Sequence, residues 1–468
     1  LAEWIDIGDS WEKVTPGGNE GYDLMMLRLT NTANGIPSAD KPRLWVMGST
    51  HARELVTAET VTRFAEHLLT NYGVDPDITW VLDHHEVHLL LVTNPDGRKH
   101  AEVLQSWRKN TNENYCGVTS SYRGADLNRN FDFEWAEYNP DHDPCSYLYV
   151  GPSAASEPET QAVQDWIVAN FPDWRPDDLT TPAPDEATGI FIDVHSYSEV
   201  VLTAFGWQDP PSPNDAQILK LARKFSFFTD YDAKLGSLGI ISGSTKDYAY
   251  GRLGMPAFTF ELGTEFFQDC APFESTIYPD NLQALLYAAR AVRAPYTQSS
   301  GPEVVTPAGL PTVPGPGETV TVTAVIDDTR YGPGETFPPI SVENIAAAEA
   351  YIDVPPWRPG ATAIPMSAVE GVFDSSTESV TVSFPSSGLS DGRHTIYIRG
   401  QDSAGYWGTV RAVFIWVLDP LTAAHVAGML TDVNSGLPVQ GTVAAGIFST
   451  ASGPATGSYD LLLPAGTY

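Results

Sequence analysis

The amino-acid sequence predicts an α/β domain with a mixed central sheet flanked by helices, followed by C-terminal all-β sandwich modules. Three observations carry this. At 468 residues the chain is too long for one ordinary core, so two or three domains are expected. As far as residue 297, short apolar runs alternate with amphipathic helical stretches, as in an α/β sheet. Beyond residue 319 only short alternating runs with turn residues between them remain, which is a β-sandwich pattern.

The elements follow in order. "DLMMLRL" and "PRLWVMGS" read as strands, and a helix is expected from Arg53 to Asn71, stopped by a C-cap at Gly73. "EVHLLLVTN", "TGIFIDVHS" and "AFTFELG" are further apolar strands. Helices are expected in "ETQAVQDWIVANF", "DAQILKLARKFSFF" and "NLQALLYAARAVRAPY". Residues 298–319, which include "GPEVVTPAGLPTVPGPGET", read as a Pro/Gly-rich linker. Residues 320–420 contain "TVTVTAVI", "AEAYIDV", "SVTVSFP", "HTIYIRGQD" and "VRAVFIWVL", strands expected to form an immunoglobulin-like sandwich. Residues 421–468 resemble part of a transthyretin-like β-module, whose closing strands would lie past Tyr468.

Asp and Glu outnumber Lys and Arg by 59 to 26, a formal charge of −33 that argues against nucleic acid and anionic membranes as partners. No apolar run reaches the roughly 20 residues of a membrane span. Of the three cysteines, Cys116 and Cys145 lie in loop-like surroundings, which fits either a disulfide in an oxidising compartment or two unrelated thiols. With no C-x-x-C pair, cysteine ligation of a metal is disfavoured.

Strand ends of α/β sheets collect functional groups, so the polar residues there carry the argument. In "GSTHARELVTAE", His51 and Glu54 stand three apart where a strand meets a helix, close enough in a helical turn for an imidazole and a carboxylate to reach one cation. His195 closes the run "IFIDVH", and Glu261 closes "AFTFE". Two histidines and a carboxylate form a zinc set with one open position, and a second glutamate beside it can move protons. A rival cluster, "DHHEVH" from Asp83 to His88, reads instead as the solvated start of a strand, with His85 and His88 on opposite faces.

"HARE", "TNPDG", "WRK", "DLNRNFDFEW", "DVHSYS" and "FTFELG", in that order, resemble the motifs of the zinc metallocarboxypeptidases of the carboxypeptidase A, B and T type. The resemblance covers roughly the first 295 residues and implies a catalytic domain over 1–297. It implies that His51, Glu54 and His195 hold Zn2+ and that Glu261 is the general base. It also implies that Arg108 stabilises the oxyanion, that Asn128 and Arg129 grip the substrate's terminal carboxylate, and that Arg53 and Tyr197 form further subsites. In the family a disulfide joins the positions matching Cys116 and Cys145, which implies secretion. The expected partners are peptide or protein C-termini, and a monomer is expected.

The pattern departs from the family in the specificity pocket. Asp247 matches the aspartate of the pocket floor, and the residue before it, Lys246, would favour an acidic C-terminal side chain unless it turns to solvent or pairs with Asp247. The family's mobile tyrosine is replaced by Gly239 in "LGSLGIISGSTKD", so either Tyr231 serves in its place or that clamp is missing. Hydrolysis of the last peptide bond is therefore the expected activity. Amide cleavage in peptidoglycan-type stem peptides, or surface binding by a catalytically weak relative, are the alternatives.

Overall fold

The computed structural model describes the whole chain except residues 17, 208, 309–313, 336–338, 447 and 465–468. The chain divides into two units: Leu1–Gly301 with Thr329–Val342 and Tyr406–Thr409, and Pro302–Asp328 with Glu343–Gly405 and Val410–Tyr468.

The first unit is built on eight strands: β1 (Ala2–Asp9), β2 (Asp23–Leu29), β3 (Arg43–Gly48), β4 (Glu86–Leu90), β5 (Ile190–His195), β6 (Val200–Thr203), β7 (Asp232–Lys234) and β8 (Ala257–Glu261). They form one mixed sheet in the order β1-β2-β4-β3-β5-β8-β6-β7. The central strands β4, β3, β5 and β8 are parallel neighbours, so the C-terminal ends of β3, β5 and β8 lie side by side. Every residue of β5 is buried, the mark of a strand covered on both faces, and its run "IFIDVH" is accordingly apolar except where it carries chemistry. Trp45 stacks on Phe191 at 6.4 Å, and Phe225 meets Phe258 edge-on at 5.0 Å from the helix Asp215–Thr229.

The expected helices are present, with shifts that have local causes. The first begins at Leu55, not Arg53, because Glu54 has non-helical backbone angles (φ −89°, ψ 69°) and turns its side chain away to the histidines. The last ends at Ala291, and Pro295 opens a separate short turn, Pro295–Gln298.

The second unit is all-β. Strands β9 (Glu303–Ala308), β10 (Thr319–Asp327), β11 (Ile345–Ile352), β12 (Ile364–Ala368), β13 (Thr377–Pro385), β14 (Gly392–Asp402) and β15 (Arg411–Val417) run in the order β15-β14-β11-β12-β13-β10-β9, and all pairings are antiparallel. Strand β12 joins the halves: Ile364–Met366 pair with β11, and Ser367 and Ala368 pair with β13. Alternation is clean. In β10 and β13 every second residue points into a core that includes Val322, Ile326, Val380 and Ile415. The span expected as a linker differs from that expectation, since 303–308 pair with β10 and Val304 packs into the same core. Residues 309–313 of that span lie outside the described residues.

Farther on, β16 (Ala424–Met429) pairs with β19 (Ser458–Leu463), and β17 (Thr442–Ala445) pairs with β18 (Phe448–Ala451). A small cluster of Leu418, Phe448, Leu461 and Leu463 holds them together. Tyr468 lies outside the described residues.

Candidate active site

The site forms where three adjacent strands end. After β3 the chain turns sharply: Gly48 lets the backbone pass Thr57, to which a Cβ would come within 3.0 Å, and Ser49 takes a positive φ of 57°. Thr57 then ties the turn, accepting from Ser49 N at 2.8 Å and donating to Glu54 O at 2.7 Å. Asn94, the N-cap of the helix Pro95–Glu102, reaches Lys109 O at 2.9 Å and steadies the loop carrying Arg108 beside this turn. His51 and Glu54 are therefore brought together by a capped turn. The helix they precede contributes neither of them.

His195 sits at the end of β5, in register with Glu261 at the end of β8. His51 Nδ1 lies 2.8 Å from Glu54 Oε1, His195 Nδ1 lies 2.9 Å from Glu54 Oε2, and the two Nδ1 atoms are 3.0 Å apart. All three side chains are buried, and their ligand atoms converge on one point.

Two aspartates that sequence reasoning missed orient the imidazoles. Asp126 faces His51 Nε2 at 3.1 Å, and Asp193 faces His195 Nε2 at 2.8 Å. A proton held on each Nε2 leaves both Nδ1 lone pairs pointing at each other and at a carboxylate, an arrangement a divalent cation satisfies. The field agrees. Burial disfavours charge on His195, yet Asp193 and Glu54 raise its pKa well above the usual imidazole value, so the surroundings demand positive charge. The donor set, two imidazole nitrogens and one carboxylate, fits zinc with an open position. Asp193 is fixed in turn by Thr245 Oγ1 at 2.7 Å and Thr50 Oγ1 at 3.1 Å. Its signal was present in "DVH", since residues two apart on a strand share a face.

A cavity of about 490 Å³ opens on this cluster, with Glu261, Arg108, Asn128, Arg129, Lys246 and Tyr197 among its walls. Burial pushes the Glu261 carboxyl up to about 8, partly opposed by His195. Arg108 donates through Nε and Nη2 to Asp126 Oδ2 at 3.1 and 2.7 Å, and its Nη1 lies 3.3 Å from His51 Nδ1. Arg129 is tied to Asn128 O at 2.7 Å, while Asn128 Oδ1 accepts from Thr245 N at 2.9 Å. Tyr197 is 42% exposed and meets Phe266 edge-on at the rim.

Two of the expected subsite residues are not among the residues of the cavity wall. Arg53 lies 3.8 Å above the Phe266 ring and donates to Ser106 Oγ at 3.2 Å. Asp247 is fully buried, accepting from Gly206 N at 2.8 Å and from Lys246 Nζ at 3.0 Å. Lys246 does not turn to solvent: it is 1% exposed, and burial lowers its pKa despite Asp247. Tyr231 does not replace the missing tyrosine, because its hydroxyl is buried against Gly263 N and Asn281 Nδ2, both at 3.2 Å. Gly239 and its neighbours Leu238 and Ile240 line the cavity at the position concerned.

In the rival cluster His85, Glu86 and His88 are buried and not solvated as expected, while Asp83 and His84 are half-buried. His85 is held by Ala289 O at 2.9 Å and His88 by Glu86 at 3.2 Å, so "EVHLL" is a covered strand whose polar groups bond internally. Cys116 and Cys145 are joined in a disulfide with their Cα atoms 4.9 Å apart, and Cys270 is a free, exposed thiol.

Comparison with known proteins agrees with this geometry. Residues 3–286 match the family model described as zinc carboxypeptidase. Carboxypeptidase A1 of Rattus norvegicus is 28% identical over 258 residues, covering 50% of this chain and 56% of that protein. Carboxypeptidase B of Helicoverpa zea is 29% identical over 283 residues, covering 56% and 61%. The chain thus spans little more than half the length of these relatives. Among solved structures, carboxypeptidase A from Helicoverpa armigera superposes with a TM-score of 0.51 at 25% identity, covering 63% of this chain and 69% of that one. By the match over most of its first unit, the chain belongs to the zinc carboxypeptidase family.

Proposed function

We propose that the protein is a secreted, zinc-dependent exopeptidase that removes single residues from peptide C-termini, with a preference for acidic ones. The observation that carries this reading is the convergence of His51, Glu54 and His195 beside Glu261 at three neighbouring strand ends. Zinc, when bound, supplies Lewis acidity that polarises a carbonyl and makes water a better proton donor.

The chain's own residues do the rest. Arg129 and Asn128 meet the terminal carboxylate, a planar guanidinium offering two parallel hydrogen bonds, which restricts attack to the chain end. Glu261 takes a proton from the attacking water and later delivers it to the leaving amine. Arg108, oriented by Asp126, stabilises the negative charge that develops on the scissile carbonyl oxygen. Lys246 presents its ammonium to the side chain of the last residue, with Asp247 holding it in place. In so acidic a protein this local cation acts at contact distance, because charges beyond about 10 Å are screened. The Cys116–Cys145 bridge supports an oxidising, extracellular setting.

The test is release of single amino acids from matched peptides ending in Glu, Leu or Lys, by zinc-loaded wild-type and His195→Ala protein. Wild type is expected to release Glu fastest, and His195→Ala to lose both zinc and activity. Cleavage within the chain, or none at all by zinc-loaded protein, would overturn the exopeptidase reading. Glu released last would overturn the preference alone.

A further inference from the structure

The β-sandwich contains a second group of converging carboxylates. Glu370 and Asp374 belong to the loop between β12 and β13, Glu378 is the second residue of β13, and one oxygen from each lies within 4.8 Å of the others. Glu370 and Asp374 are exposed, whereas Glu378 is 1% exposed.

The position of Glu378 is unusual. Strand alternation places it in the inward row with Val380, Val382 and Phe384, where an apolar side chain would ordinarily stand. Its Oε1 accepts from Asp374 N at 2.9 Å and Ser375 N at 2.8 Å, which fixes the carboxylate. Its Oε2 is buried and meets no N–H or hydroxyl donor. The groups facing Glu370 are Glu378, close enough for a carboxyl–carboxylate hydrogen bond, and Asp374, all of one sign. A buried carboxylate oxygen is costly to leave unpaired, and like charges gathered around it raise the cost.

The loop that brings them together is firmly held. Gly371 turns with φ 95°, Phe373 packs against the sandwich core, Asn344 Nδ2 donates to Asp374 O at 3.0 Å, and Ile345 N donates to Ser375 O at 2.8 Å. The convergence is therefore built into the fold.

We propose that Glu370, Asp374 and Glu378 form a calcium-class divalent cation site that braces the β12–β13 loop. Hard oxygen donors suit such an ion, and oxygens within 4.8 Å of one another can share a calcium shell of about 2.3–2.6 Å radius. The two exposed carboxylates leave room for water to complete the shell.

The test is calorimetric titration of Ca2+ into the full-length, zinc-loaded protein, paired with thermal unfolding. Wild type is expected to bind Ca2+ and to unfold at a higher temperature with it. Glu378→Gln is expected to weaken that binding at least tenfold. Because Glu378→Gln touches the core, the surface variant Glu370→Gln/Asp374→Asn provides an independent reading and is expected to lose the same binding event. Absence of Ca2+ binding by wild type would overturn the proposal. Unchanged binding by the surface variant would also overturn it, placing the ion elsewhere, such as at Asp6, Asp9 and Asp23. Stabilisation on acidification without any response to Ca2+ would overturn it too, showing a proton shared between Glu370 and Glu378.

Discussion

The two units bury carboxylates in contrasting ways. Around the candidate site of the first unit, three buried acids are each matched by a neighbour: Glu54 by two imidazoles, Asp193 by His195 and two threonines, Asp126 by Arg108. Burial works to raise the Asp126 pKa, yet Arg108, Arg129 and His51 hold it well below the ordinary value. In the second unit, Glu378 stands within a core-facing row with only backbone N–H groups on one oxygen. A sheet covered on both faces has no solvated row for polar chemistry, so that chemistry collects at strand ends. A sheet with one wet face can carry polar residues along its whole length, and an acid on its dry face becomes conspicuous.

The contrast is sharpened by substitutions on each side. Glu261→Gln should retain zinc but lower kcat/KM about 10²–10⁴-fold in peptide hydrolysis, as expected for loss of a general base; near-normal turnover would break the strand-end account. On the other side, Ile415→Ala should destabilise the sandwich by about 2–5 kcal/mol in denaturant unfolding, with kcat and zinc affinity unchanged. Asp193→Asn should cost about 10–100-fold in zinc affinity by competition with a chelator, because His195 loses the group that orients it. Lys246→Ala should reduce the preference for C-terminal Glu over Leu about tenfold without touching zinc affinity, and an unchanged ratio would show that the ammonium serves only Asp247.

Much of the first unit was legible in the sequence. Alternating apolar runs and helical patterns marked the α/β sheet, and four polar residues at the ends of three of those runs marked the site. What escaped has physical causes. Asp126 and Asp193 act through histidines, so they carry no motif until pairing and tautomer are considered. Asp247 and Arg53 read as cavity residues by position, but Asp247 turns to Gly206 and Lys246, and Arg53 stacks on Phe266, so neither is on the wall. The sequence placed Gly239 at the clamp position, where it lines the cavity, but left open whether Tyr231 serves there, because the direction of the Tyr231 hydroxyl is set by Gly263 and Asn281. "DHHEVH" misled because internal hydrogen bonds let a polar-looking strand be covered. "GPEVVTPAG" misled because proline and glycine suggest a linker, while Val304 finds a core and its strand finds a partner in β10.

The account rests on His51, Glu54 and His195 meeting one ion through the inward-facing atoms. Anomalous diffraction at the zinc edge from crystals of the zinc-loaded protein tests this most directly. The expected result is one strong peak about 2.0–2.2 Å from His51 Nδ1, His195 Nδ1 and a Glu54 oxygen. A peak against either Nε2, or zinc held only at another carboxylate cluster, would contradict it.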